Sequence, residues 1–221
     1  MSELKPVIED RRRRLVEHPF FRGLEASSDV EHLRNFVPQL FFFVFAFQDM
    51  LRIAHERITD PKLREIAGRH RSEDAGHEVW FVNDAIELKC ERDVVWVFGE
   101  EHHFTRDFCY ELVAEILHAE NDHLRLVFPL VLESAGSVFF ERVIGLIRRS
   151  GYEGRLQYFA ESHQEIEQAH DMFTAEGQQE IDDLVMSPAV FDTAVALVQR
   201  SFDACERFAA HLEAHRGRTE S

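Results

Sequence analysis

Apolar residues recur at three- and four-residue steps along nearly the whole chain, and no stretch sustains the two-residue alternation of a half-buried strand. The pattern predicts an all-α protein. Helices are expected over 5–17, 28–58 with a break near Pro38, 61–89, 103–122, 123–149 with a disturbance at Pro129, 152–176 and 188–214. Thr59-Asp60-Pro61 and Ser187-Pro188 place a capping side chain directly before a proline, which suits the first turn of a helix. Breaks are expected at RRSGYEG (148–154) and around Phe98-Gly99. No linker rich in Gly, Pro or Ser divides the chain and no fixed repeat period appears. The expectation is one domain over 1–221, a bundle of about seven helices.

Composition narrows the function classes. With 45% apolar residues, 10 Gly and 6 Pro among 221, the chain is rich enough to bury a sizeable core. Twenty Phe, several in FFFVFAF at 41–47, read as core packing or as the wall of an apolar pocket. The net charge of −16 argues against nucleic acid or an anionic membrane as partner. RRRR at 11–14 reads as the solvated face of the first helix. The N-terminal MSELKPVIED lacks the apolar run of a secretory signal, and the apolar stretch around 40–47 falls short of the ~20 residues of a membrane span. A cytoplasmic location is therefore expected. Cys90, Cys109 and Cys205 fit neither a disulfide framework nor a Cys-x-x-Cys knuckle and read as buried free thiols.

One eight-residue pattern occurs twice. HRSEDAGH carries His70, Asp74 and His77; HQEIEQAH carries His163, Glu167 and His170. Within helices, steps of three, four and seven place these side chains on one face, and the sequence places both copies mid-helix. Two such stripes meeting inside a bundle are costly unless the charges pair or a cation neutralises them. Imidazole plus carboxylate without thiolate suits iron or manganese. Asp74-x-x-His77 and Glu167-x-x-His170 have the acid and His spacing of di-metal carboxylate bundles. A polar network between helices, or solvated faces, is the competing reading, because 13 His and 41 acids form such pairs by chance. His102, His103, His118 and His123 read as polar-face residues.

Further carboxylates must come from other helices. Glu133 in LVFPLVLESAGSVFFERV stands among apolar residues, where an unpaired carboxylate is disfavoured, and is the best additional ligand. Glu141, next to Arg142, is second choice. Ser134, Ala135 and Gly136 either let helices approach or leave room for a substrate.

These residues resemble the heme-oxygenase-like di-iron oxidases, the group that includes CADD-like proteins and iron-containing redox enzymes. The late pattern His163, Glu167, His170 matches that group's His-x-x-x-acid-x-x-His motif. Asp74 with His77, and Glu133, stand where an earlier and a middle helix supply the rest. The resemblance covers about 15–212 and implies a seven-helix fold related to heme oxygenase and TenA. It also implies a site of three His and three carboxylates holding two irons, with manganese possible, and O2 activation on a small, partly apolar substrate. Some members carry the first acid seven residues before its His, a position that is His70 here. Asp74 or Glu73 then supplies the acid, or His70 joins the ligands. Glu73, Asp84 and Asp171 are candidate partners for the second His nitrogens.

Other readings are a metal-free TenA-like hydrolase using Cys109 or Cys90, a ferritin-like di-iron protein, and a non-catalytic binding module. Heme binding would need an early His, for which His18 is the candidate. A homodimer is possible.

Overall fold

A computed structural model describes residues 1–170 and 174–217; the side chains of Glu167, Gln168 and Ala169 are not among those described. The protein is an all-α bundle, 80% helical, with no strand among the described residues. The helices are α1 (Lys5–Val16), α2 (Pro19–Ala26), α3 (Glu31–Phe36), α4 (Phe41–Arg57), α5 (Pro61–Glu73), α6 (His77–Glu87), α7 (Val94–Val97), α8 (His103–His118), α9 (Asp122–Ser150), α10 (Glu161–Ala169), α11 (Ala175–Asp182) and α12 (Pro188–Arg216). The long helices α9 and α12 pack on each other and on α1 and α2, while α4 lies between α8 and α5 and also meets α9. One contiguous apolar core runs through them, with Phe20, Phe36, Phe81, Phe128, Phe159 and Phe202 among its fully buried side chains.

The expected caps are present. Asp60 accepts the Lys62 and Leu63 amides at the start of α5, and Ser187 accepts the Val190 amide at the start of α12. Pro38 falls in a 3-10 turn between α3 and α4. Gly151, in the left-handed region at φ +66°, ends α9. Pro129 sits inside α9 without ending it.

Several boundaries differ from the sequence expectation. α2 was not anticipated; it starts at His18-Pro19, where the His18 Nδ1 accepts the Phe20 amide. The stretch 152–160 is not helical, and among the described residues the predicted helix over 152–176 contains α10 and the first residues of α11. The predicted helix over 61–89 is two. Gly76 adopts φ +99°, a conformation that L side chains rarely take, and this turns the chain between α5 and α6. The first eight-residue pattern therefore straddles a corner instead of lying mid-helix. His170 likewise stands just past the end of α10.

Two other expectations are revised. Arg12, Arg13 and Arg14 pair with Glu9 and Asp10 on their own helix. Arg11 is buried instead, reaching Asp203 Oδ1 at 2.5 Å and Glu206 Oε1 at 2.9 Å on α12. The helical run Glu31–Arg57, 27 residues, is long and apolar enough by length and composition to cross a membrane, where the sequence reading counted only 40–47. Half of its most apolar window is buried inside the bundle, as the core position of α4 requires.

Candidate metal centre

Four elements converge on one buried polar cluster. The last turn of α5 supplies His70 and Asp74, the first residue of α6 is His77, the middle of α9 supplies Glu133, and α10 with the residue after it supplies His163 and His170. His70, Asp74, His77, His163 and His170 are all buried, and the Glu133 side chain is 11% exposed. His70, Asp74 and Glu133 offer ligand atoms that all lie within 4.8 Å of one another, the one such group among the described residues.

The corner at Gly76 is what brings the first pattern together. His70 and Asp74 are one turn apart on α5, and the Asp74 amide still donates to the His70 carbonyl at 3.1 Å. After the turn, His77 faces back, with Nδ1 3.4 Å from Asp74 Oδ1. The corner is held from two sides. Glu78 Oε2 accepts the Gly76 amide at 3.1 Å, and Gln48 Nε2 of α4 donates to the Asp74 carbonyl at 3.0 Å.

His70 Nε2 lies 2.9 Å from Glu133 Oε1 and 2.8 Å from Asp74 Oδ2. A single Nε2–H cannot align with both. It is directed at Glu133, which leaves the buried Asp74 Oδ2 close to a positive imidazole but without a hydrogen bond. Burial opposes charge on His70, yet the two carboxylates outweigh it and raise its pKa from 6.5 to about 10. Burial likewise opposes ionisation of Asp74, and the adjoining His70 and His77 override it, holding the carboxyl well below the usual range.

The second pattern meets the first through an imidazole pair. His163 Nδ1 stands 2.7 Å from the Tyr158 carbonyl, an oxygen that can only accept, so this nitrogen carries the proton. In the neutral ring Nε2 is then the lone-pair atom, 3.3 Å from His77 Nδ1. A His fixed through one nitrogen by a backbone carbonyl, with the other facing a polar cluster, is the usual setting of a metal ligand. The His170 ring stacks at 5.8 Å from that of His77.

Tyr158 is itself placed by Asp84. This fully buried carboxylate accepts the Gln157 amide at 2.7 Å and the Phe159 amide at 2.9 Å. Burial raises its pKa, and these amide bonds only partly offset that. Asp84 was expected to receive a His nitrogen directly; it acts one step further out, through the 157–159 loop. Sequence reasoning missed Tyr158, because a backbone carbonyl leaves no residue-type signal.

Other expected residues lie elsewhere. Glu141 is exposed and sits 3.5 Å from Arg142, as a surface pair. Glu73, on the last turn of α5, is half-buried and outside the three-residue group. The Glu167 side chain and all of Asp171 lie outside the described residues. Burial pushes the Cys90 thiol up to about 12 and raises that of Cys109, and neither cysteine lines the cavity at the cluster. His103 pairs with Asp107 on an exposed face, and His118 is exposed.

No protein-family model matches this chain, and no curated protein matches it either. His70, Asp74 and Glu133 offer imidazole and carboxylate donors without a thiolate, a donor set of the kind that divalent iron or manganese takes. Asp74 Oδ2, buried and without a hydrogen bond, is the donor that such an ion would satisfy.

Proposed function

We propose that the protein is a non-heme di-metal oxidoreductase, iron-dependent or manganese-dependent, that uses O2 on a small, partly apolar substrate, in the manner of the heme-oxygenase-like di-iron oxidases. The observation that carries this reading is Asp74 Oδ2, a buried carboxylate oxygen without a hydrogen bond, beside His70 and His77, the latter in turn meeting His163 of the second copy. Asp74, His77, Glu133, His163, Glu167 and His170 would hold the ions, and His70 is a further donor at the first corner. When bound, ferrous ions supply the electrons that reduce O2. The chain's own part is to hold the imidazoles in the required tautomer, to balance positive charge with carboxylates, and to keep bulk water out.

A polar network without metal is the second reading, favoured by the ion pair of His70 with Glu133 and Asp74. Anaerobic ferrous titration followed by exposure to oxygen separates the two. The oxidase reading expects about two irons per chain, an oxygen-dependent visible band, and loss of both in His163→Ala and Glu167→Ala. No binding above background in the parent, with the variants merely easier to unfold, leaves the network.

A further inference from the structure

Behind the cluster the bundle holds a second space. The cavity onto which Asp74, His77, Glu133 and His163 open is about 60 Å³, and an apolar chamber of about 100 Å³ lies beside it. The two share six wall residues: Phe43, Val44, Leu132, Gly136, Phe140 and Tyr158. From this common wall the chamber continues between α1, α8 and α12, past Leu15, Phe108 and Leu212, and no charged side chain among the described residues lines it. Close-packed interiors leave few voids larger than a water molecule. The two spaces are together of the order of the ~150 Å³ apolar cavity that takes up benzene.

Gly136 occupies the middle of the 29-residue α9. Glycine there weakens a helix by about 1 kcal/mol relative to alanine, and close packing of another helix is the usual compensation. It is not the reason here, since among the described residues a Cβ built on Gly136 meets no atom within 4 Å. Gly136 lines both the cluster cavity and the chamber, so a side chain there would project into space that the two border.

We propose that the chamber binds the apolar end of the substrate, a short unbranched alkyl group, and that Gly136 sets how long this group can be. The polar end then faces the His and carboxylate cluster. This assignment rests on the oxidase reading for what happens at the cluster, and on the two adjoining cavities alone for what binds behind it.

The test uses straight-chain primary alcohols from propanol to decanol as probes, with calorimetric titration of the full chain. Parent, Gly136→Ala and Gly136→Leu are compared, each with and without manganous ion. Expected is saturable binding of one alcohol per chain that tightens about fourfold per methylene, the ~0.8 kcal/mol of a buried CH₂, up to a length limit. Gly136→Leu moves that limit at least two carbons shorter, with Gly136→Ala between, while manganous affinity is unchanged. Gly136→Ala keeps the test intact if the leucine variant folds poorly, because its methyl group enters open space. Absence of saturable alcohol binding in the parent, or one length limit shared by all three chains, overturns the proposal. Alcohol binding with the expected limits but no metal uptake supports the chamber and removes the oxidase reading. Metal uptake without alcohol binding does the reverse.

Discussion

His163 presents Nε2 to His77 Nδ1 at 3.3 Å, so the two copies of the eight-residue pattern touch through their imidazoles although 86 residues separate these two side chains. The contact exists because the chain turns at Gly76 and because Asp84 fixes the loop whose carbonyl orients His163.

Loss of Asp84 should be felt at the metal. Asp84→Ala leaves the buried Phe159 amide without its acceptor, at about 1–3 kcal/mol, releases the part-buried Gln157 amide as well, and frees the Tyr158 carbonyl to drift from His163. Manganous affinity should fall about 10–100-fold, with faster hydrogen exchange at the amides of 157–159. Unchanged affinity together with fast exchange would show that the loop does not position His163.

Gly76→Ala forces a side chain into a backbone at φ +99°, at a cost of about 1–3 kcal/mol. The corner is where His77 is aimed at Asp74, so the variant should lose metal affinity as well as stability. Chemical denaturation and metal titration of the same preparation read both effects. Gly68→Ala is not a suitable control, since a Cβ there meets the His55 ring at 3.2 Å; Gly217→Ala, with nothing near it, is.

Glu133→Ala removes the carboxylate to which His70 Nε2–H is directed, in surroundings where the remaining charges stay buried. His70 keeps Asp74 as a partner, so the loss is that of one charge-assisted hydrogen bond, about 1.5–3 kcal/mol, and the metal-free variant should unfold at lower urea concentration. A loss under 1 kcal/mol would mean that the cluster is wet or rearranges.

A second acid-sensitive carboxylate lies outside the cluster, at the start of α9. Asp122 Oδ2 accepts the Thr59 amide at 2.8 Å, the Thr59 hydroxyl at 2.7 Å and the Asp60 amide at 2.8 Å. Burial opposes its ionisation, but these bonds and Arg125 outweigh it and lower the pKa. A carboxyl lowered on folding stabilises above its ordinary value of about 3.9 and loses that contribution as pH falls through the lower folded value. Asp122→Asn should therefore melt below the parent at pH 7, and the gap should close below about pH 4. A gap constant from pH 7 to pH 3 would assign the loss to shape, not to charge.

Much of this architecture is written in local chemistry. Three- and four-residue periodicity specifies helices because it is the period at which one helical face can be buried, and Asp60-Pro61 and Ser187-Pro188 specify starts because capping is settled within four residues. The isolation of Glu133 among apolar residues marks it for the interior for the same reason: no local surroundings could solvate it. The ends of the helices bearing the pattern were not legible. A glycine inside a periodic stretch is tolerated or turned according to what packs around it, and at Gly76 the contacts of Gln48 and Glu78 favour the turn. The role of Tyr158 depends on a carbonyl that every residue possesses, and that of Gly136 on whether another helix or empty space faces it. Those are relations between segments distant in the chain. The sequence by itself determined which residues must be buried and which chemistry they bring; only the tertiary structure decided which atoms meet, because direction at a site is set by turns and neighbours and not by residue type.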